Sequence, residues 1–72
     1  MRLTILEIGY FADNDTWVET RKIAISPANP SLLIKHFQAS CTQARIGPEK
    51  LDYLVRGSFD EICNQLNDDM KA

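Results

Sequence analysis

The 72-residue sequence has little of what metal sites are built from. It contains one histidine, His36, and its two cysteines, Cys41 and Cys63, lack the C-x-x-C spacing of zinc-binding motifs. Zinc needs a cluster of histidine, cysteine or carboxylate ligands, and no such motif occurs in this sequence. We therefore predict no metal site and no cofactor.

Calcium is excluded by a mismatch in a short polar segment. Asp13 and Asp15 have the spacing of the first two ligands of an EF-hand loop, but Trp17 stands where the third ligand belongs. The glycine that an EF-hand loop needs for its sharp turn is also missing. We expect these aspartates to form a turn rather than a cation site.

The sequence also lacks the patterns of nucleotide-binding and nucleophilic enzymes. Its three glycines, Gly9, Gly47 and Gly57, are isolated from one another, which excludes a glycine-rich phosphate loop. On a predicted helix, His36 and Cys41 would point about 140° apart and could not form a nucleophile pair. A chain this short buries only about 60% of its unfolded surface, which leaves little interior for a reactive pocket. We predict no catalytic residue and no enzymatic activity.

Long apolar runs are absent as well. No segment approaches the roughly 20 apolar residues of a membrane-spanning helix, and residues 1–8 lack the features of a secretory leader. We expect a cytoplasmic protein, without a membrane as partner, whose cysteines are reduced. The net charge is −2, with six basic and two acidic residues in 20–56 and acidic segments on either side. Ordinary solvated faces explain this pattern.

Aliphatic and aromatic residues are plentiful, since 44% of the sequence is hydrophobic and 25% is charged, as in folded domains. The segments Leu3–Phe11 and Trp17–Ile25 have the composition of strands, and Ala12–Thr16 between them is rich in short polar side chains. They predict a β-hairpin. The first strand is apolar on both sides, which is typical either of a central strand covered on both faces or of a strand that changes phase at a bulge, for which Gly9 is the natural site. The charges of the second predict an edge strand.

Two helices are predicted beyond the hairpin. Asn29 and Pro30 have the preferred types for an N-cap and a first helical position, and Gly47–Pro48 supplies a stop. A second helix begins at the capping box formed by Ser58 and Glu61. The apolar residues that follow helical spacing are Leu33, Ile34, Phe37, Cys41 and Ala44 in the first helix, and Phe59, Ile62, Cys63, Leu66 and Met70 in the second.

The segment 51–56 fits two structures. Leu51, Tyr53 and Val55 alternate as in a strand, whereas Leu51, Leu54 and Val55 fit a short helix opened by a proline. We favour the strand. The sequence then predicts one α+β domain over 1–72, in the order β-β-α-β-α, with an antiparallel hairpin, a third strand beside the first and both helices on one sheet face. The alternative is a β-hairpin followed by three helices.

The apolar residues of the first strand would fall on both faces of such a sheet, and one face would lack a cover. We expect a second copy of the chain, giving a homodimer, or a different and larger protein to pack there or to pair with an edge strand. The residues predicted to bind the partner lie around the hairpin mouth and on its edge, where aromatic and basic side chains gather. They are Tyr10, Phe11, Trp17, Arg21 and Lys22.

These features predict a non-enzymatic protein–protein interaction module, a small regulatory, inhibitory or accessory protein. A nucleic-acid-binding transcriptional regulator is one alternative, because a three-helix arrangement of residues 30–70 resembles a helix-turn-helix. The charge disfavours nucleic acid, since residues 48–56 would form the recognition helix and carry no net positive charge. A small subunit of an enzyme complex is the other alternative.

Overall fold

The computed structural model describes residues 1–49 and 51–72 and shows an antiparallel five-stranded sheet with one C-terminal helix. The strand order is β2-β1-β5-β4-β3. The α+β class is therefore confirmed. The elements are β1 (Thr4–Phe11), β2 (Trp17–Ile25), β3 (Leu33–Gln38), β4 (Cys41–Arg45), β5 (Asp52–Arg56) and α1 (Phe59–Lys71).

The hairpin of β1 and β2 is confirmed, with pairing from Thr4 and Ile25 at its base to Phe11 and Trp17 at its mouth. The turn between the strands is a short 3-10 segment, Asp13–Asp15. Two of its residues have positive φ, 67° at Asn14 and 55° at Asp15. Asparagine and aspartate tolerate this left-handed region better than other side chains, which explains why the polar segment turns here.

A β-bulge interrupts the hairpin at Gly9, one of the two interpretations of the first strand, although its extra residue lies on the other strand. The other interpretation, a strand covered on both faces, is wrong, because Ile5 is 49% exposed. The pairing moves from Ile8 with Arg21 to Gly9 with Glu19, so Thr20 of β2 is the unmatched residue. The Thr20 hydroxyl donates a hydrogen bond to the Ile8 carbonyl at 3.0 Å, which replaces part of the interrupted ladder.

The first predicted helix is wrong. Residues 33–45 form a second hairpin, in which β3 pairs with β4 from Leu33 and Arg45 to Gln38 and Cys41. The predicted N-cap, Asn29, accepts the Ser31 backbone N–H at 2.9 Å, so its side chain closes a local turn that no helix follows. The alternative with three helices is wrong as well, because α1 is the only helix of more than one turn in the described residues.

The third strand of the prediction is confirmed as β5. It lies beside β1 and pairs with it through Ile8 and Val55 and through Gly9 and Leu54. β2 is an edge strand and β1 an inner strand, as the sequence predicts. The connection 26–32 then carries the chain from the β2 edge to the β3 edge, and Leu32 within it packs against the core.

The C-terminal helix is confirmed together with its cap. The Ser58 hydroxyl accepts the Glu61 backbone N–H at 3.1 Å, and the Glu61 carboxylate accepts the Ser58 N–H at 3.2 Å. Both side chains thereby satisfy backbone donors that the first turn of a helix leaves free. No helix in the described part of the chain is long and apolar enough to cross a membrane.

The core lies between α1 and one face of the sheet. Cross-strand partners share a face, so the pairing of Ile8 with Val55 and of Leu6 with Ile23 places these side chains on the helix side. Ile5 alternates with them and is 49% exposed on the opposite side. The buried hydrophobic cluster consists of Leu6, Ile8, Ile25, Ala44, Val55 and Ile62.

The two cysteines are both free thiols in the structure. Cys63 lies on α1 and is partly buried, in keeping with its predicted place in the apolar stripe. Cys41 is fully buried, but it begins β4 rather than lying on a helix, so its predicted location is wrong. Burial raises the pKa of the Cys41 thiol, which disfavours the thiolate form.

Candidate protein-interaction surface

The five residues predicted to bind a partner all lie on the β1–β2 hairpin, but they are divided between the two sheet faces. Arg21 pairs with the core residue Ile8 and therefore lies on the helix side, where Tyr10 also lies by alternation along β1. The Arg21 guanidinium stands over the ring of Tyr53 at 5.3 Å, a cation–π contact. Tyr10 is 49% exposed.

Phe11 and Trp17 are cross-strand partners at the mouth of the hairpin, on the face away from the helix. Their ring centroids are 5.4 Å apart with an interplanar angle of 72°, an edge-to-face arrangement. Both rings are partly buried, and the Trp17 Nε1 is buried without a hydrogen-bond partner in the described structure. Trp17 thus packs on the sheet rather than standing free in solvent.

Lys22 belongs to a row of charges across the face away from the helix. It pairs with Glu7 of β1, and the Glu7 carboxylate lies 3.6 Å from an Arg56 nitrogen on β5. The single carboxylate is flanked by two cations, so the row carries a local excess of positive charge. Lys22 and Arg56 are exposed and Glu7 is partly exposed, and pairs at such positions contribute little to stability.

We call the sheet face away from α1 the open face, because no described element packs over it. A second ion pair lies toward its β3 side, where the Arg45 guanidinium meets Asp52 at 3.0 Å and lowers the pKa of that carboxyl by hydrogen bonding. Apolar side chains occur between the charges. The open face includes Ile5, Glu7, Phe11, Trp17, Lys22, Leu54 and Arg56.

A groove lies between β1 and α1. β5 pairs with β1 only at Ile8 and Gly9, so Thr4–Glu7 has no strand partner on that side within the described residues. Two contiguous cavities, of about 530 Å³ and about 640 Å³, share Ile5, Glu61 and Gln65 and follow this unpaired stretch. We call them together the β1–α1 groove. Its walls are Arg2, Leu3 and Ile5 on the strand side and Glu61, Gln65 and Asp68 on the helix side.

One end of the groove is closed by contacts between the first strand and the end of the helix. The Thr4 hydroxyl donates to the Asp69 carboxylate at 2.7 Å, the Arg2 Nε donates to it at 3.0 Å, and the Arg2 backbone N–H donates to the Asp69 carbonyl at 2.8 Å. The Thr4 hydroxyl, and then Arg2, hold the pKa of Asp69 below its usual range. Asp69 is buried, and these contacts fix α1 against β1.

Sequence reasoning missed the groove and its residues. The sequence around Arg2, Leu3 and Asp68 contains no motif that indicates a binding site. These residues come together because of where α1 crosses the sheet. The polar residues on the exposed side of the second predicted helix were the available signal. The sequence does not show that this side of the helix lies next to the unpaired part of β1. That proximity depends on where the pairing of β1 with β5 stops, which is a property of the tertiary fold.

The residues considered for chemistry are not brought together. His36 lies on β3 and is exposed, so the prediction of a helix-surface histidine is wrong as to the element. Cys41 is buried, and no group of three or more histidine, cysteine, aspartate or glutamate side chains among residues 1–49 and 51–72 could hold a metal ion.

Comparison with protein-family models, with curated proteins and with solved structures finds no match to this chain.

Proposed function

We propose that this protein is a non-enzymatic interaction module, a small regulatory, inhibitory or accessory protein that acts by binding a larger protein. The observation that supports this is that, among residues 1–49 and 51–72, an element packs over one face of the sheet and none over the other. On the other side, Leu3 and Ile5 remain 58% and 49% exposed beside the charged row of Lys22, Glu7 and Arg56. Apolar side chains bordered by charge are a common composition of protein-binding surfaces.

The surface area is adequate for this role. The whole chain exposes 4801 Å². A standard protein–protein interface takes about 800 Å² from each partner, which is about one sixth of this surface. A flat sheet face can supply such an area without the deep pocket that a small-molecule enzyme needs.

The five hairpin residues remain the predicted contacts, but they differ in whether they also contribute to the fold. Tyr10 is exposed and can contact a partner without refolding, and Lys22 stands on the open face. Trp17 and Phe11 pack on the sheet, and Arg21 is engaged with Tyr53, so substituting any of these three would also disturb the fold. Tyr10→Ala is therefore the informative variant on the helix side of the hairpin.

The function can be tested by affinity purification from the native host with the open face altered. Ile5→Lys places a charge on the part of that face that borders the groove, and Leu51→Lys is a matched control, because Leu51 is 54% exposed and precedes β5 outside the open face. We expect Ile5→Lys to lose a specific protein that wild type and Leu51→Lys both retain, with circular dichroism unchanged. Equal capture by all three proteins would contradict a role for this face.

Light scattering on the purified chain tests the homodimer as a separate form of the same proposal. If a second copy covers the open face, the wild type will show twice the monomer mass and Ile5→Lys the monomer mass. A monomer at high concentration leaves the larger, different partner as the proposal.

A further inference from the structure

We propose that the β1–α1 groove binds an extended segment of the partner protein in which basic and apolar residues alternate, and that this segment adds as a strand beside Thr4–Glu7. The inference rests on the proposed function and names the chemistry of the partner. Three independent features of the groove support it: an unpaired strand edge, matching dimensions, and the charge of its helix wall.

The unpaired edge supplies main-chain hydrogen bonds. β1 extends beyond its short ladder with β5, and Ile5, Leu6 and Glu7 of this extension line the first cavity instead of pairing with a described strand on that side. An exposed strand edge pairs readily with an extended peptide, a mode of recognition called β-augmentation. β5 itself turns away at Gly57, which has a φ of +117°, and enters α1. The bound segment would thus lie beside β1 in the position that β5 would occupy if it continued past Gly57.

The two walls have matching lengths. From Leu3 to Glu7 the strand advances about 13 Å at its usual rise per residue. From Glu61 to Asp68 the helix advances about 10 Å. Both lengths correspond to four or five residues of an extended segment, which is enough for a short linear motif.

The charge of the helix wall determines which side chains fit. Glu61 and Asp68 lie on the groove, and neither forms an ion pair among the described residues. Arg2 is already engaged with Asp69. Glu61 also caps the helix, so Asp68 is the carboxylate with full capacity for a ligand. A lysine or arginine on the helix side of the segment would complement this wall.

The strand wall favours apolar side chains at the alternate positions. Leu3 and Ile5 project to the open face and are more than 45% exposed, so they can cover an apolar neighbour on an added strand. Successive side chains of a strand point to opposite faces. The same segment can therefore direct basic residues to α1 and apolar residues to Leu3 and Ile5, which gives a period of two.

The test uses a phage-displayed library of random linear peptides selected on the full 72-residue protein. We expect the selected peptides to alternate basic and apolar residues. Binding of a labelled selected peptide, followed by fluorescence anisotropy, should weaken about two- to fivefold in Asp68→Asn, the loss expected for one solvent-exposed ion pair. Asp60→Asn is the matched control, because Asp60 lies on the same helix outside the groove and should leave the affinity unchanged.

Two further readouts identify the binding mode. N-methylation of alternate peptide amides should abolish binding for one alternate set and be tolerated for the other, because only one set faces β1. Amide shifts in nuclear magnetic resonance spectra should concentrate at Ile5, Leu6 and Gln65. Selection of no peptide, of peptides without basic residues, or equal effects of Asp68→Asn and Asp60→Asn would overturn the proposal, as would occupation of the groove by a second copy.

The same variants separate this inference from the proposed function. If Ile5→Lys loses the native partner while Asp68→Asn retains it and no peptide binds, the module is supported and the groove is not its binding site. If a specific protein is captured and neither substitution affects its capture, neither the open face nor the groove binds it. If no specific protein is captured, the proposed function fails.

Discussion

At the scale of single residues, Gly9 shows how a side chain that is absent permits the hairpin to form. A Cβ at this position would lie 2.1 Å from the Val18 carbonyl oxygen and 2.8 Å from the Trp17 Cζ2. The first of these neighbours is backbone, which can move only if the strands separate. Gly9 is thus required by the close approach of β2 at the bulge, and it lets the Trp17 ring lie against the sheet.

Gly9→Ala should destabilise the protein by about 1–3 kcal/mol, the cost of overpacking a site that cannot relax freely. Urea unfolding followed by circular dichroism measures the change. Gly47→Ala is the control, because Gly47 has a φ of +79° but no atom of the described residues within 4 Å of the added Cβ. It should cost only about 1 kcal/mol for the left-handed backbone. A Gly9→Ala protein as stable as wild type would contradict the crowding argument.

The two cysteines should differ in reactivity. Cys41 is fully buried with a raised pKa, whereas Cys63 is partly exposed on α1. In the native protein we expect iodoacetamide to modify Cys63 at least about tenfold faster than Cys41, since Cys41 reacts only through opening of the sheet. Mass spectrometry of labelled peptides identifies the site. Cys63→Ser should abolish the fast phase, and comparable labelling of Cys41 would contradict its burial.

At the scale of elements, the sequence predicts well where local and tertiary preferences agree. α1 combines a capping box with apolar helical spacing, and the strands of the first hairpin combine β-prone residues with a polar turn, so both could be predicted. Residues 33–45 have apolar positions that fit a helix, but Ile34 and Ala44 pair across a hairpin in the structure. The pairing of β3 with β4, and of β4 with β5, outweighs the weak local preference of this segment for a helix. A single sequence does not reveal which strands will pair.

The capping box at the start of α1 should contribute measurably to stability. Ser58→Ala removes the acceptor of the Glu61 N–H and should cost about 1 kcal/mol. Ser31→Ala is a suitable control, because Ser31 is an exposed serine whose hydroxyl makes no hydrogen bond among the described residues. Thermal unfolding of both variants distinguishes them, and an equal Tm would show that the cap contributes nothing here.

At the scale of the whole molecule, the sequence indicates that one sheet face lacks a cover but not which residues border it. The prediction placed Tyr10 and Trp17 around the hairpin mouth and Lys22 on the edge strand, without assigning them to a sheet face. The bulge and the alternation of β1 place them on two faces, and the position of α1 creates the groove. Faces and grooves depend on strand register and helix placement, which are properties of the complete fold.

The same architecture makes the link between β1 and α1 sensitive to acid. Asp69 accepts hydrogen bonds from Thr4 and Arg2, and its pKa is lowered on folding. A carboxyl with a lowered pKa in the folded state stabilises the protein above its unfolded pKa, which is about 3.9 for aspartate. That contribution is lost as the pH falls through the folded pKa. The pKa values of Asp52 and Glu61 are lowered too, so they act in the same direction.

The Tm of the wild type should therefore be nearly constant from pH 7 to about pH 5 and fall below about pH 4. Asp69→Asn should have a lower Tm at pH 7, because the amide carries no negative charge to pair with the Arg2 guanidinium. The difference in Tm from wild type should narrow as the pH falls and Asp69 of the wild type becomes protonated. Asp68→Asn, at an adjacent exposed position without an ion pair in the described structure, should follow the wild type. A constant difference between Asp69→Asn and wild type at every pH would show that the ionised carboxylate does not join the two elements.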